Sequence, residues 1–106
     1  MSEKTFTQGD TAPPITATIK NSEDNAAQDL TNVTEIRFQM RKPDDRRFTV
    51  DEVATITDAM TGRVRYSWGV HDLDVPGDYQ SQWELHWNDG KIQTTDPPNT
   101  ITVRRQ

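Results

Sequence analysis

Apolar and polar residues alternate with a period of two along three stretches of this chain, residues 35–42, 63–68 and 79–87. Successive side chains of a β-strand point to opposite faces, so this alternation is typical of half-buried antiparallel strands. The apolar face of each stretch is predicted to form the core. The predicted core residues are Ile36, Phe38, Met40, Val64, Tyr66, Trp68, Tyr79, Trp83, Leu85 and Trp87.

Shorter stretches rich in β-branched residues predict five more strands, at residues 4–7, 15–20, 48–57, 91–95 and 100–104. Turn signals separate the strands. Pro76-Gly77 suits a type II turn, Asp89-Gly90 a hairpin, and residues 58–62 a longer hairpin loop. Residues 21–28 form a polar loop, and the prolines of residues 96–99 mark a crossing to the last strand.

Short strands with frequent turns predict an all-β fold, an immunoglobulin-like antiparallel β-sandwich of seven or eight strands. The whole chain, residues 1–106, is expected to be one such domain with its core between about residues 6 and 103. Tyr79 begins a strand directly after the Pro-Gly turn, as in the tyrosine corner of such domains. Its hydroxyl is therefore expected to donate a hydrogen bond to backbone just upstream.

The composition of the chain excludes or argues against several classes of function. The chain has no cysteine, which excludes disulfides and thiolate metal sites. It begins with no secretory signal and has no apolar run of membrane-spanning length, so we expect a soluble protein without membrane contact. A net charge of −5 argues against a surface that binds nucleic acid.

No arrangement of residues predicts catalysis. The serines lie in no nucleophile elbow, there is no glycine-rich phosphate loop, and paired carboxylates occur only in loops. Asp72 with Asp74, or Asp44 with Asp45, offers ligands for calcium, but no EF-hand pattern surrounds either pair, and two histidines are too few for zinc. We expect a non-enzyme without cofactor or metal.

A carbohydrate- or cell-surface-binding platform is the main alternative function. Tryptophan faces stack well on sugars, and Trp68 and Trp87 fall near strand ends, with His71, His86 and Asp89 close to them in sequence. This alternative requires at least one of the two indoles to be exposed. A bacterial or archaeal extracellular immunoglobulin-like domain is a third hypothesis, against which the missing signal segment counts.

The order of these motifs resembles the immunoglobulin-like module at the N-terminus of tailed-phage baseplate upper proteins and related virion domains. The resemblance extends from about Phe6 to Val103. It is carried by Gln8-Gly9-Asp10-Thr11, Asp29-Leu30-Thr31, Ile36-Arg37-Phe38-Gln39-Met40-Arg41, residues 58–66, Pro76-Gly77-Asp78-Tyr79 and residues 83–91.

The resemblance implies a structural virion protein that binds other virion proteins, without catalytic residues, within a symmetric homo-oligomeric assembly. No fibre or receptor-binding region follows Gln106 here, so we expect an adaptor of the tail, baseplate or neck, or a capsid decoration or spike subunit, made in the host cytoplasm. Exposed edge strands and loops would make the contacts. The candidate contact residues are Thr5, Phe6, Thr7, Arg41, Lys42, Arg46, Arg47, Arg104 and Arg105.

Overall fold

The computed structural model describes residues 3–20, 26–42, 45–95 and 99–106, and over these residues every regular element is a β-strand. The strands are nine in number within this part of the chain. They are β1 Glu3–Thr7, β2 Ile15–Thr18, β3 Val33–Arg41, β4 Val50–Val53, β5 Thr55–Asp58, β6 Arg63–Tyr66, β7 Gly77–Trp87, β8 Ile92–Thr94 and β9 Asn99–Arg104.

The larger sheet has six strands in the order β1-β9-β7-β3-β4, with β8 also paired to β7. The long strand β7 organises this sheet, because β3 pairs along one of its sides while β9 and β8 share the other. All of these pairs are antiparallel except β1 with β9, which is parallel from Glu3↔Thr100 to Thr7↔Arg104.

The smaller sheet has three strands in the order β2-β6-β5, and it packs on the larger one to form a sandwich. Aromatic rings fill the space between the sheets. Phe38 of the larger sheet stacks on Tyr66 of the smaller at 4.9 Å between ring centroids and meets Trp83 edge-on at 5.0 Å. Offset and edge-on pairs of this kind add to the stabilisation that burial itself provides. The predicted all-β sandwich is confirmed.

Nine of the ten predicted core residues are buried, and Trp87 is partly buried and packs against the same cluster. The cluster also includes residues outside the three alternating stretches, among them Leu30, Leu73 and Ile101. In a chain with 31% apolar residues, the few large rings supply much of the core volume.

The tyrosine corner is present. The hydroxyl of Tyr79 donates to the carbonyl oxygen of Val75 at 2.7 Å, and burial of this side chain raises its pKa. Because the carbonyl lies four residues upstream, the hydrogen bond holds the turn at residues 75–78 against the start of β7.

One predicted strand, residues 48–57, is in fact two. β4 belongs to the larger sheet and β5 to the smaller, and Ala54 between them donates its N–H to Ile36 at 2.8 Å as the chain passes from one sheet to the other. This division brings the count to nine instead of seven or eight. The predicted crossing at Asp96-Pro97-Pro98, most of the 21–28 loop and residues 43–44 lie outside the described residues.

Candidate protein-interaction site

The loop between β3 and β4 presents arginines on a backbone that is held at both ends. Thr49 donates its N–H to the carbonyl of Met40 at 2.7 Å, which closes the base of the loop. Asp45 organises the tip: its carboxylate accepts the N–H of Arg47 at 2.9 Å, and its carbonyl accepts a guanidinium N–H of Arg41 at 2.9 Å. Asp45 therefore shapes the loop through backbone contacts, while Arg46 and Arg47 project into solvent.

The C-terminal segment is held against β1 at the opposite side of the same sheet. The carbonyl of Arg104 accepts the N–H of Gln8 at 2.7 Å, and the side chain of Gln8 donates to the carbonyl of Asp74 at 2.9 Å. Arg104 and Arg105 are both exposed.

The register of the larger sheet brings these two basic segments to one end of the sandwich. Gln80 of β7 lies opposite Arg41 on one side and Thr100 on the other. Beyond this row, β3 and β9 both run toward the start of β7, because each is antiparallel to it. They are two strand spacings apart, or roughly 10 Å. We call Arg41, Lys42, Arg46, Arg47, Arg104 and Arg105 together the basic end.

Within the described part of the chain, no carboxylate forms an ion pair with any residue of the basic end. Most of the described ion pairs lie on the outer face of the larger sheet, where Arg37 donates to Asp51 at 2.9 Å. That hydrogen bond raises the pKa of Arg37 and lowers the pKa of Asp51. The outer face thus satisfies its own charges, whereas the cations of the basic end have no ion pair among the described residues.

Exposed apolar side chains accompany the basic end. Phe48 lies in the β3–β4 loop, and Val70 and Val75 lie in the loop that leads into the start of β7. Cations next to exposed apolar groups are typical of a protein-binding surface, since apolar contact supplies affinity and charge supplies orientation.

The β1 arm contributes less than expected. Thr5 and Thr7 are exposed, but Phe6 is buried and packs edge-on against Trp68 at 5.0 Å. Its interpretation as a contact residue is therefore corrected: on this strand, alternation turns Phe6 into the core and the threonines outward.

Trp68, the first candidate for a sugar-binding platform, is not accessible. Trp68 is only 5% exposed, enclosed by rings that include Phe6 and Phe38, and its buried indole N–H has no partner within the described structure. Trp87 is partly buried against the core. An indole that lies inside the sandwich cannot stack on a sugar.

The loop carboxylates proposed for calcium have structural partners. Asp72 accepts the hydroxyl of Tyr66 at 2.6 Å and the N–H of Gly69 at 2.7 Å, which closes the 69–72 turn over the core. Burial first, and then this bond, raises the pKa of Tyr66 well above its ordinary value. Asp74 is bonded to His71 at 2.7 Å. Among the described residues there is no cluster of three metal-binding side chains, and none forms a helix suited to crossing a membrane.

Sequence reasoning missed the Tyr66–Asp72 contact and the grouping of the arginines. An aspartate three residues after Gly69 is a signal for a side-chain-to-backbone turn and could have suggested the first. The second depends on strand register, which the sequence does not display.

Comparison with known proteins places the chain in a family. The fold is similar to that of CopC from Methylosinus trichosporium OB3b, with a TM-score of 0.60 over 100% of this chain and 87% of that one. At 8% identity this likeness concerns the fold alone. No curated protein sequence matches the chain.

The sequence matches the BppU N-terminal domain, the N-terminal domain of baseplate upper proteins, over residues 2–96. This match covers most of the chain and confirms the resemblance drawn from its motifs. Membership indicates a place in the virion tail and contacts with other virion proteins. The chain therefore belongs to the BppU N-terminal domain family and is a structural protein of the phage baseplate.

Proposed function

We propose that this domain is a non-enzymatic docking module that attaches to an acidic neighbouring baseplate protein through its basic end. The observation that carries the proposal is the gathering of six exposed or partly exposed cations at one end of a domain whose net charge is −5. Clustered cations of this kind attract and orient an acidic partner as the two molecules approach each other.

The basic end suits protein recognition in geometry as well as in charge. Arginine guanidinium groups bind carboxylates in a planar, two-pronged arrangement. Phe48, Val70 and Val75 supply apolar area beside them. A stable interface buries about 1,200–2,000 Å² in total, so the partner is expected to cover both the β3–β4 loop and the C-terminal segment.

A non-enzymatic role is supported by how the polar groups are used. Asp72 and Asp74 hold loops together, and His86 is bonded to Glu84 on the outer face of the sheet at 2.8 Å. These candidates for acid–base chemistry already have structural partners. We further propose that several copies act together in a symmetric baseplate, in which the same basic end makes the same contact in each copy.

Charge reversal tests this proposal in assembled particles. Virions are produced with Arg46→Glu/Arg47→Glu, and their content of this protein is measured by quantitative mass spectrometry. The matched control, Arg65→Glu/Lys91→Glu, makes the same change in net charge at exposed residues of β6 and the β7–β8 turn.

The basic-end variant is expected to be depleted from particles, because two cations would become anions against an acidic partner. The control is expected to be incorporated normally. Equal incorporation of both variants and the original protein would refute docking through the basic end, and equal depletion of both would show that net charge alone matters. Melting temperatures of the purified variants establish that each one is folded.

A further inference from the structure

The sandwich is closed along one side and open along the other. On the closed side, the chain passes directly from β4 to β5 through Ala54 and links the two sheets. On the other side the smaller sheet ends at β2, whereas the larger sheet continues from β7 to β9 and β1. This difference in width leaves a groove of about 730 Å³, lined by residues of both sheets. We call it the edge groove.

Strand β2 forms one wall of the edge groove and has unused backbone groups. Ile19 donates its N–H to Gly62, toward β6, at 2.8 Å. Backbone groups alternate in direction along a strand, so those of Thr16 and Thr18 point the other way, to the free side of β2. Within the described residues no strand pairs with this side. Such an edge is a template for a further strand.

The lining of the edge groove is positively charged. Among the described residues it includes Lys4, Lys20 and Arg63 and no acidic side chain. None of the three cations forms an ion pair with a described carboxylate. Lys4 shares the inward side of β1 with buried Phe6 and is itself partly buried. The floor is apolar: the half-buried Ala17 lies over the buried side chains of Trp83 and Ile101.

We infer that the edge groove binds an extended acidic segment of a neighbouring protein, which adds to β2 as a fourth strand of the smaller sheet. The backbone of the segment would pair with Thr16 and Thr18, its apolar residues would face the floor, and its carboxylates would face outward to meet Lys20 and Arg63 on the exposed face of the smaller sheet. Alternating apolar and acidic residues satisfy all three conditions, because successive side chains of a strand point to opposite sides. Only the assignment of the segment to a baseplate neighbour rests on the proposed docking role.

A second interpretation of the same cations must be distinguished from this one. Charged residues at a sheet edge also protect proteins from unwanted strand pairing. If the cations beside β2 only guard the edge, replacing Arg63 would increase self-association of the domain and would not weaken the binding of an acidic strand. The two interpretations therefore predict opposite results.

The test uses the complete chain and a synthetic peptide, acetyl-Val-Glu-Val-Glu-Val-Glu-Val-amide carrying a fluorophore, whose binding is followed by anisotropy. Two control peptides have lysine in place of glutamate, or N-methyl groups on alternate amides. Amide hydrogen exchange at Thr16 and Thr18 is measured by NMR with and without the peptide. The protein variants are Arg63→Glu and the charge-matched Lys91→Glu, which lies in the β7–β8 turn away from β2.

The acidic peptide is expected to bind and to slow exchange at both threonine amides. N-methylation removes backbone pairing and is expected to abolish binding. The Arg63→Glu variant is expected to bind roughly two- to fivefold more weakly, as for one partly screened charge contact, and the Lys91→Glu variant as tightly as the original.

Several outcomes would overturn the inference: no binding of the acidic peptide, equal binding of the lysine or N-methylated peptide, or unchanged threonine exchange. Increased self-association of the Arg63→Glu variant without loss of peptide binding would assign the cations to edge protection. Because this test needs no virion and leaves the basic end untouched, its failure is separate from failure of the proposed docking function.

Discussion

Gly62 offers the sharpest test of the close backbone contacts at one end of the smaller sheet. It has a φ of +71°, and a Cβ at this position would lie 2.7 Å from the carbonyl oxygens of both Gln28 and Ile19. Both oxygens belong to backbone, so no flexible side chain can move aside. Gly90 is the matched control, because its φ is +87° but a Cβ there would meet nothing within 4 Å.

The expected loss for Gly62→Ala has two parts. Placing alanine in the left-handed region costs about 1–2 kcal/mol at either glycine. At Gly62, relieving the clash also disturbs two hydrogen bonds, from Ile19 to Gly62 at 2.8 Å and from Gln28 to Ile19 at 2.9 Å. Each such bond contributes about 0.5–1.5 kcal/mol, so Gly62→Ala should lose about 1–3 kcal/mol more than Gly90→Ala.

Urea unfolding, followed by the fluorescence of the buried tryptophans, measures both variants. In thermal unfolding the difference corresponds to roughly 5–20 °C between their melting temperatures. Equal m values are required, since they show that the unfolded states are comparable. If the two variants lose the same free energy to within about 0.5 kcal/mol, the steric reasoning is wrong and only the backbone conformation matters.

Three further predictions concern the core and its tyrosines. Tyr79→Phe should lower the free energy of unfolding by about 1 kcal/mol, through loss of the tyrosine-corner hydrogen bond, and an unchanged urea midpoint would contradict that role. The raised pKa of Tyr66 stabilises the fold fully below pH 10, the ordinary pKa of tyrosine, and this stabilisation is lost as the pH rises toward the folded-state pKa. Above pH 10 the free energy of unfolding should therefore fall more steeply in the original protein than in Tyr66→Phe, by up to about 1.4 kcal/mol per pH unit, and parallel curves would contradict the shift. Phe6→Ala should cost about 3–5 kcal/mol of stability and Thr5→Ala within about 0.5 kcal/mol, whereas equal effects would place Phe6 outside the core.

The half-buried strands could be predicted because the alternation of apolar and polar residues directly reflects which side chains are buried. In β7 the buried residues Tyr79, Trp83 and Leu85 alternate with partly exposed polar ones, as the sequence pattern requires. The tyrosine corner was predictable for a related reason: a proline-glycine turn and a tyrosine are local signals with a fixed spacing.

The passage between sheets at Ala54 was not predictable in the same way. The residues around it are β-branched and polar on both sides, so the pattern continues while the chain changes its partners. Phe6 shows the same limit on a smaller scale. With only five residues, β1 is too short for its sequence pattern to show which face is buried. The contact between Phe6 and Trp68 shows that Phe6 faces the core.

The candidate sites are harder to predict from sequence patterns than the strands are. The two parts of the basic end, Arg41–Arg47 and Arg104–Arg105, are about sixty residues apart in sequence and meet at one end because both β3 and β9 pair with β7. The edge groove depends on a difference in width between two sheets. Both follow from strand order, which depends on contacts between distant residues.

The parallel pairing of β1 with β9 has a mechanical consequence. The chain enters β1 at one end of the sandwich and leaves β9 at the other, so tension on both termini pulls the two strands along each other. All five rows of the pair, from Glu3↔Thr100 to Thr7↔Arg104, then bear the load together instead of opening one after another. Loading all rows at once resists force better than peeling a hairpin, in which the rows open singly.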